Sequence, residues 1–126
     1  ASLIKKFHEA KIKKKKKVIV WGSGNATRDF IFVEDAADGI ILAAEKYNHT
    51  DPVNLASGKE IKIRELAFII KENIGFKGKI VWDSKMPTGP KRRVVDISKA
   101  KKEFGFNVKT SMPEGIKKTL KWYTKK

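Results

Sequence analysis

The chain contains no cysteine and only two histidines, His8 and His49. A disulfide framework and a thiolate metal site are thereby excluded, and two isolated imidazoles leave too few ligands for zinc, so no metal site is expected. The lack of cysteine fits a reducing cytoplasm, the expected location. Long apolar runs are missing too. The longest uncharged apolar stretch, Gly39 to Ala44, falls far below the roughly 20 residues of a membrane-spanning helix. No secretory leader is expected. The chain opens without Met in an apolar-periodic segment, Leu3, Ile4, Phe7, as though cut inside a helix.

Acid is scarce as well. Against 29 Lys and Arg stand 14 Asp and Glu, a formal charge of +15, and such a field favours anionic partners. Eight of the cations fall in the first 17 residues, including the unbroken run Lys13 to Lys17. The excess is therefore local. A solvated helix end and loop accounts for most of it, because lysine near a helix C-terminus complements the dipole. Binding to nucleic acid or an anionic surface is the alternative. A dedicated nucleic-acid module would interleave aromatics with the basic residues and this run has none, so nucleic acid is disfavoured.

What is present suffices for a fold. At 126 residues and 40% hydrophobic content the chain is expected to form one domain, 1–126, with a modest core. Leu3 to about Ile12 reads as an amphipathic helix, and Lys13 to Lys17 as a charged connector. Val18 to Trp21 is a short strand stopped by the turn cluster Gly22-Ser23-Gly24-Asn25, and Phe30 to Val33 is a second strand close enough to pair with it. Glu34 or Asp35 starts a helix that runs to about Tyr47. Val53 to Leu55 reads as a strand, Ser57-Gly58 as a turn, Ile63 to about Ile74 as a helix stopped by Gly75, and Lys79 to Trp82 as extended. Ser84 to Lys91, with two prolines and a glycine, is a loop long enough to suggest function. Helices follow at about Ile97 to Phe104 and Pro113 to Tyr123, Pro113 suiting a first turn. The class is α/β, with too few strands for a complete doubly wound sheet.

Three segments carry the chemistry: Val18 to Ile40, Val53 to Leu66 and Val81 to Ala100. Together they resemble the nucleotide-sugar-binding C-terminal half of an NAD(P)-dependent epimerase/dehydratase, nearest the GDP-L-fucose synthase branch of the extended short-chain dehydrogenases. The resemblance runs from Ala1 to about Tyr123. It implies a small mixed-sheet substrate domain, a GDP-4-keto-6-deoxyhexose as the nucleotide-sugar partner, and NADP(H) for the full-length enzyme. That family's Gly-x-x-Gly-x-x-Gly turn and its catalytic Ser and Tyr-x-x-x-Lys do not occur in the 126 residues. The expectation is therefore a portion with no catalytic residue and no cofactor site of its own, inert without an N-terminal Rossmann half.

A sugar nucleotide needs cations or amide donors for its pyrophosphate, an apolar or aromatic wall for its base and a lid over the sugar. The resemblance assigns Arg28 to the phosphate or sugar, Trp21 to the pocket wall, Arg93 to the diphosphate and Lys6, on the first helix, to a basic substrate contact. For Arg28 the alternative is a structural pair with Asp29 or Asp35; for Trp21 it is a strand-end ring packed in the core. The loop Pro87-Thr88-Gly89-Pro90-Lys91-Arg92-Arg93 departs from the family pattern: Thr88 replaces an Asp, Lys91 a Pro and Met86 a Lys. That bears on which sugar is bound. Asn54 and Ser57-Gly58 match a backbone-shaping turn, with Ala56 where Gly is common. Glu34, Asp35 and Asp38 read as capping or ion-paired carboxylates, and Trp122 and Tyr123 as a helix packed back on the domain. A UDP- or dTDP-sugar epimerase or dehydratase is the nearest alternative within the class. A basic nucleic-acid or anionic-surface module, or a truncated reading frame, lies outside it.

Overall fold

In the computed structural model residues 2–125 are described, so the ends of the expected domain, residues 1 and 126, lie outside them. Helix α1 (Ser2–Ile12) forms on the three-residue spacing of Ile4, Phe7 and Ala10, all buried. Strand β1 (Lys17–Trp21) alternates exposed and buried residues, turning Val18 and Val20 inward. Helix α3 (Ile63–Ile74) buries Leu66, Ala67, Ile70 and Ile74, and helix α5 (Met112–Thr124) contributes Leu120. These elements share one apolar cluster. Phe7 lies at its centre, fully buried, with its ring 5.8 Å from that of Phe76. Truncating a phenylalanine so placed costs about 3–5 kcal/mol. A second, smaller cluster joins Ala100 and Phe104 of helix α4 (Ser98–Phe104) to Phe106 and to helix α2 (Val33–Lys46).

The strands divide between two small sheets. Strand β1 pairs in parallel with β4 (Lys79–Asp83), from Lys17 opposite Lys79 to Trp21 opposite Asp83. Strand β2 (Thr27–Asp29) is the centre of a mixed three-stranded sheet, antiparallel to β3 (Glu60–Lys62) and parallel to β5 (Arg92–Arg93).

Several expectations are corrected. The second strand is Thr27–Asp29, not Phe30 to Val33, and it does not pair with β1. Phe30 to Phe32 instead lead out of β2 into α2, and Val33 is already helical. Val53 to Leu55 is not a strand: Val53 and Leu55 pack on the Phe106 cluster, and no ladder partner lies beside them among the described residues. Of the terminal aromatics, Tyr123 packs edge-on against His8, with ring centroids 5.3 Å apart, but Trp122 is 59% exposed. The carboxylates at the start of α2 do hold structural partners. Asp35, 3% exposed, accepts from the backbone N–H groups of Lys109 and Thr110, while Glu34 and Asp38 pair with Lys118 and Lys109.

Candidate functional site

Where β1 ends, Gly22 and Gly24 adopt φ values of +92° and +78°, a region that residues with a Cβ enter at a cost of about 1–2 kcal/mol. Space is short there as well. A Cβ at Gly22 would meet the Thr88 methyl, and one at Gly24 would stand 2.9 Å from the Trp82 ring. The turn is thus pressed between Thr88 on one side and Trp82 on the other. Arg64, in the first turn of α3, fixes it: its Nη2 donates to Ser23 O at 2.8 Å, its backbone N–H to Gly24 O at 2.9 Å, and its guanidinium lies 5.6 Å from the Trp82 ring centre. The turn leads into strand β2, not into a helix, so its amides lack the helix N-terminus on which a dinucleotide pyrophosphate sits.

Lys6 and Trp21 come together at this end of β1. The Lys6 ammonium stands 5.8 Å from the Trp21 ring centre and donates to Ile19 O at 3.4 Å. Trp21 is 56% exposed, so the core-packed alternative fails. Both residues line a large, mainly apolar groove of ≈ 1610 Å³ bounded by α1, α3, α5 and residues 30–34.

Arg28 and Arg93 form a second pair. They are register partners across β2 and β5, and register partners project from the same face of a sheet on strands about 4.8 Å apart. Arg28 pairs with neither Asp29 nor Asp35. Its Nη1 donates to Thr27 O and to Pro90 O, each at 2.7 Å, while Asp29 accepts from the backbone N–H groups of Ser57 and Gly58 and from Ser57 Oγ. The Nε and Nη2 donors of Arg28 make no hydrogen bond among the described residues. One nitrogen thus holds the loop, and the other two leave a forked edge suited to a phosphate. Arg92 projects the opposite way. It donates to Glu60 through Nε at 2.6 Å and Nη2 at 3.2 Å, and this contact, with that of the Thr27 hydroxyl, holds the Glu60 carboxyl below the usual carboxylate range.

The two pairs flank the Ser84–Lys91 loop, which touches Gly22 through Thr88 and Arg28 through Pro90. Arg28 and Arg93 do not line the groove beside Lys6 and Trp21. Sequence reasoning missed Arg64 and Trp82. One signal was available for Arg64: a cation in the first turn of a helix opposes the dipole and so points to another partner.

The model of the family described as GDP-mannose 4,6 dehydratase matches residues 2–119. The chain belongs to this family. Within it, the chain is 44% identical over 122 residues to probable GDP-L-fucose synthase 1 of Oryza sativa subsp. japonica, covering 97% of this chain and 37% of that relative. A GDP-L-fucose synthetase structure from Naegleria fowleri superposes with a TM-score of 0.92 at 25% identity, covering 98% of this chain and 38% of that one. A UDP-glucose 4-epimerase from Thermotoga maritima, crystallised with UDP-glucose, matches with a TM-score of 0.85 at 26% identity, covering 99% and 40%. This family member therefore spans little more than a third of its curated rice relative, and the expected GDP-L-fucose synthase resemblance and α/β class hold. Among its described residues no helix is long and apolar enough to cross a membrane.

Proposed function

We propose that the chain is the nucleotide-sugar-binding portion, one domain over 1–126, of a cytoplasmic GDP-L-fucose synthase-like enzyme. The register pairing of Arg28 with Arg93 carries this reading, because it sets two guanidinium groups on one face at the loop expected to cover the sugar. In it Arg28, through Nε and Nη2, and Arg93 grip the pyrophosphate, Trp21 walls the pocket with Lys6 beside it, and the Ser84–Lys91 loop covers the sugar. The substrate is a GDP-4-keto-6-deoxyhexose. NADP(H) supplies hydride in the complete enzyme, held by a dinucleotide-binding half, and this portion alone is inert. An apolar stripe supports a further part of the polypeptide packing on α2: Val33, Ile40 and Ile41 are 71%, 63% and 55% exposed, whereas a surface helix ordinarily turns such a face to a partner.

A titration series with GDP, UDP and dTDP tests the reading. GDP is expected to bind at least roughly tenfold tighter than the other two, a difference of about 1.4 kcal/mol. The Thermotoga maritima likeness favours a second reading, a UDP-sugar epimerase, and preference for UDP would establish it. Equal, weak binding of all three would sink both.

A further inference from the structure

We propose that the starting end of the β1–β4 pair is a second binding surface, for the phosphate backbone of a double-stranded nucleic acid. It does not rest on the nucleotide-sugar reading. Strands β1 and β4 begin side by side at Lys17 and Lys79 and finish at Trp21 and Asp83, about 13 Å away by strand rise. The site described above occupies the finishing end. The starting end gathers Lys13 to Lys17 with Lys77 and Lys79, seven lysines, all exposed. Gly78 makes the gathering feasible: a Cβ there would lie 2.5 Å from Lys16 O, the carbonyl that accepts from Lys79 N–H at 2.9 Å. None of the seven has a carboxylate within ion-pair distance among the described residues.

Positive charge is kept here against local preference. Lys14 closes α1 in the left-handed region, at φ +49°, where glycine is the favoured residue. Lys17 and Lys79 are register partners of like sign, an unfavourable cross-strand pair. Such local conflicts are expected where a surface serves something other than the fold. The surface is also concave. A cavity of ≈ 520 Å³ lies between α1 and β1, lined by Lys6, Lys15, Lys16 and Lys17 together with Ala10, Val18 and Ile19, with Glu9, already paired to Lys5, as its acid.

That shape and composition select the partner. A sugar-phosphate strand can enter a cleft edged by four lysines that a flat bilayer cannot. Helix α1 turns Ile4, Phe7 and Ala10 into the core, and exposed Ile12 beside the lysine run is a single side chain, too little for the apolar face that interfacial insertion needs. The Phe76 ring, which lies against Gly78, is only 4% exposed, so stacking on single-stranded bases is not served and sequence-independent phosphate contact remains.

Anisotropy titrations of a short labelled DNA duplex across a salt series test this. Each neutralised phosphate contributes about −0.9 to the slope of log K against log salt, so seven contacts give about −6. Replacing Lys13 to Lys17 by Ser together should bring the slope to about −2 and leave GDP affinity within a few fold. Lys77→Ser with Lys79→Ser should remove about 2 units of slope and checks the first variant independently, each variant being confirmed folded by its melting transition. A control set on α5 and its C-cap, Lys117→Ser, Lys121→Ser and Lys125→Ser, should move the slope by less than about one unit. Three results overturn the proposal: no saturable duplex binding at low salt, an equal loss per lysine in the control set, or binding to phosphatidylserine vesicles without duplex binding.

Discussion

Arg92 and Arg93 are chain neighbours, and exchanging each for alanine separates a ligand from a brace. Alternate residues of a strand project to opposite faces, so Arg93 shares a face with Arg28 while Arg92 reaches across β2 to Glu60. In the proposed complex Arg93 makes a charge-assisted contact with the diphosphate, worth about 1.5–3 kcal/mol. At about 1.4 kcal/mol per decade, Arg93→Ala should weaken GDP binding roughly 10- to 150-fold. Its melting temperature should hold, because no side-chain hydrogen bond or ion pair among the described residues is lost. Arg92→Ala does the reverse. It breaks an exposed pair that spans β3 and β5, so the melting temperature should fall while GDP affinity stays within about threefold, since an exposed charge is screened by solvent and salt. Calorimetric titration with GDP and a thermal melt on the same two proteins supply the comparison. Should Arg92→Ala abolish GDP binding while Arg93→Ala leaves it intact, the assignment of faces is wrong and the pyrophosphate lies elsewhere.

Arg28→Ala should release Pro90, speeding hydrogen exchange across residues 84–91, and weaken GDP binding about tenfold or more; unchanged exchange would show that the loop is held by other contacts. Gly24→Ala should destabilise the fold by about 2 kcal/mol, from the left-handed backbone and the Trp82 ring together, and a urea midpoint shift equivalent to under about 0.5 kcal/mol would contradict the tight approach. For Glu60 the folded carboxyl titrates below its unfolded value, first because Arg92 donates to it and then because Thr27 does. Its stabilising effect is therefore present above the ordinary carboxylate range and lost as pH falls through the depressed folded value. Glu60→Gln should flatten the acid limb of stability against pH, and superimposable limbs would refute the linkage.

Legibility in the sequence followed the kind of force at work. Helix α3 was readable end to end because Leu66, Ala67 and Ile70 mark its buried face and Gly75 ends it. Strands β1 and β4 were readable from their β-branched runs. Strand β2 was not, because Thr27, Arg28 and Asp29 carry no apolar alternation, and their extended form is imposed by β3 and β5. Phe30 to Val33 misled for the converse reason: those side chains line the groove without joining a ladder. At the site, the resemblance pointed to Lys6, Trp21, Arg28 and Arg93, which lie as two pairs flanking the Ser84–Lys91 loop. What bound Arg28 was hidden, since Pro90 lies 62 residues away in the chain. Arg64 acts on Ser23 and Gly24 from a helix whose local pattern concerns only its buried face.

Three strands of backbone cross between the two sheets, and all three meet at one seam. The Gly22-to-Ala26 segment leaves β1 for β2, the β3–α3 junction returns, and the Ser84–Lys91 loop runs from β4 to β5. The first is tied to the second by Ile63 N–H to Ala26 O and Arg64 N–H to Gly24 O, and the third is bracketed by Gly22 N–H to Asp83 O at the end of β4 and by Thr27 N–H at the start of β2 to Lys91 O. The seam is therefore also the line along which the two sheets would part. In the proposed complex, a ligand gripped by Lys6 and Trp21 on one side and by Arg28 and Arg93 on the other would act as a rivet across it. Occupancy at 100 times Kd would add about 2.7 kcal/mol to the folded state, and that gain would appear as resistance to separation of the sheets.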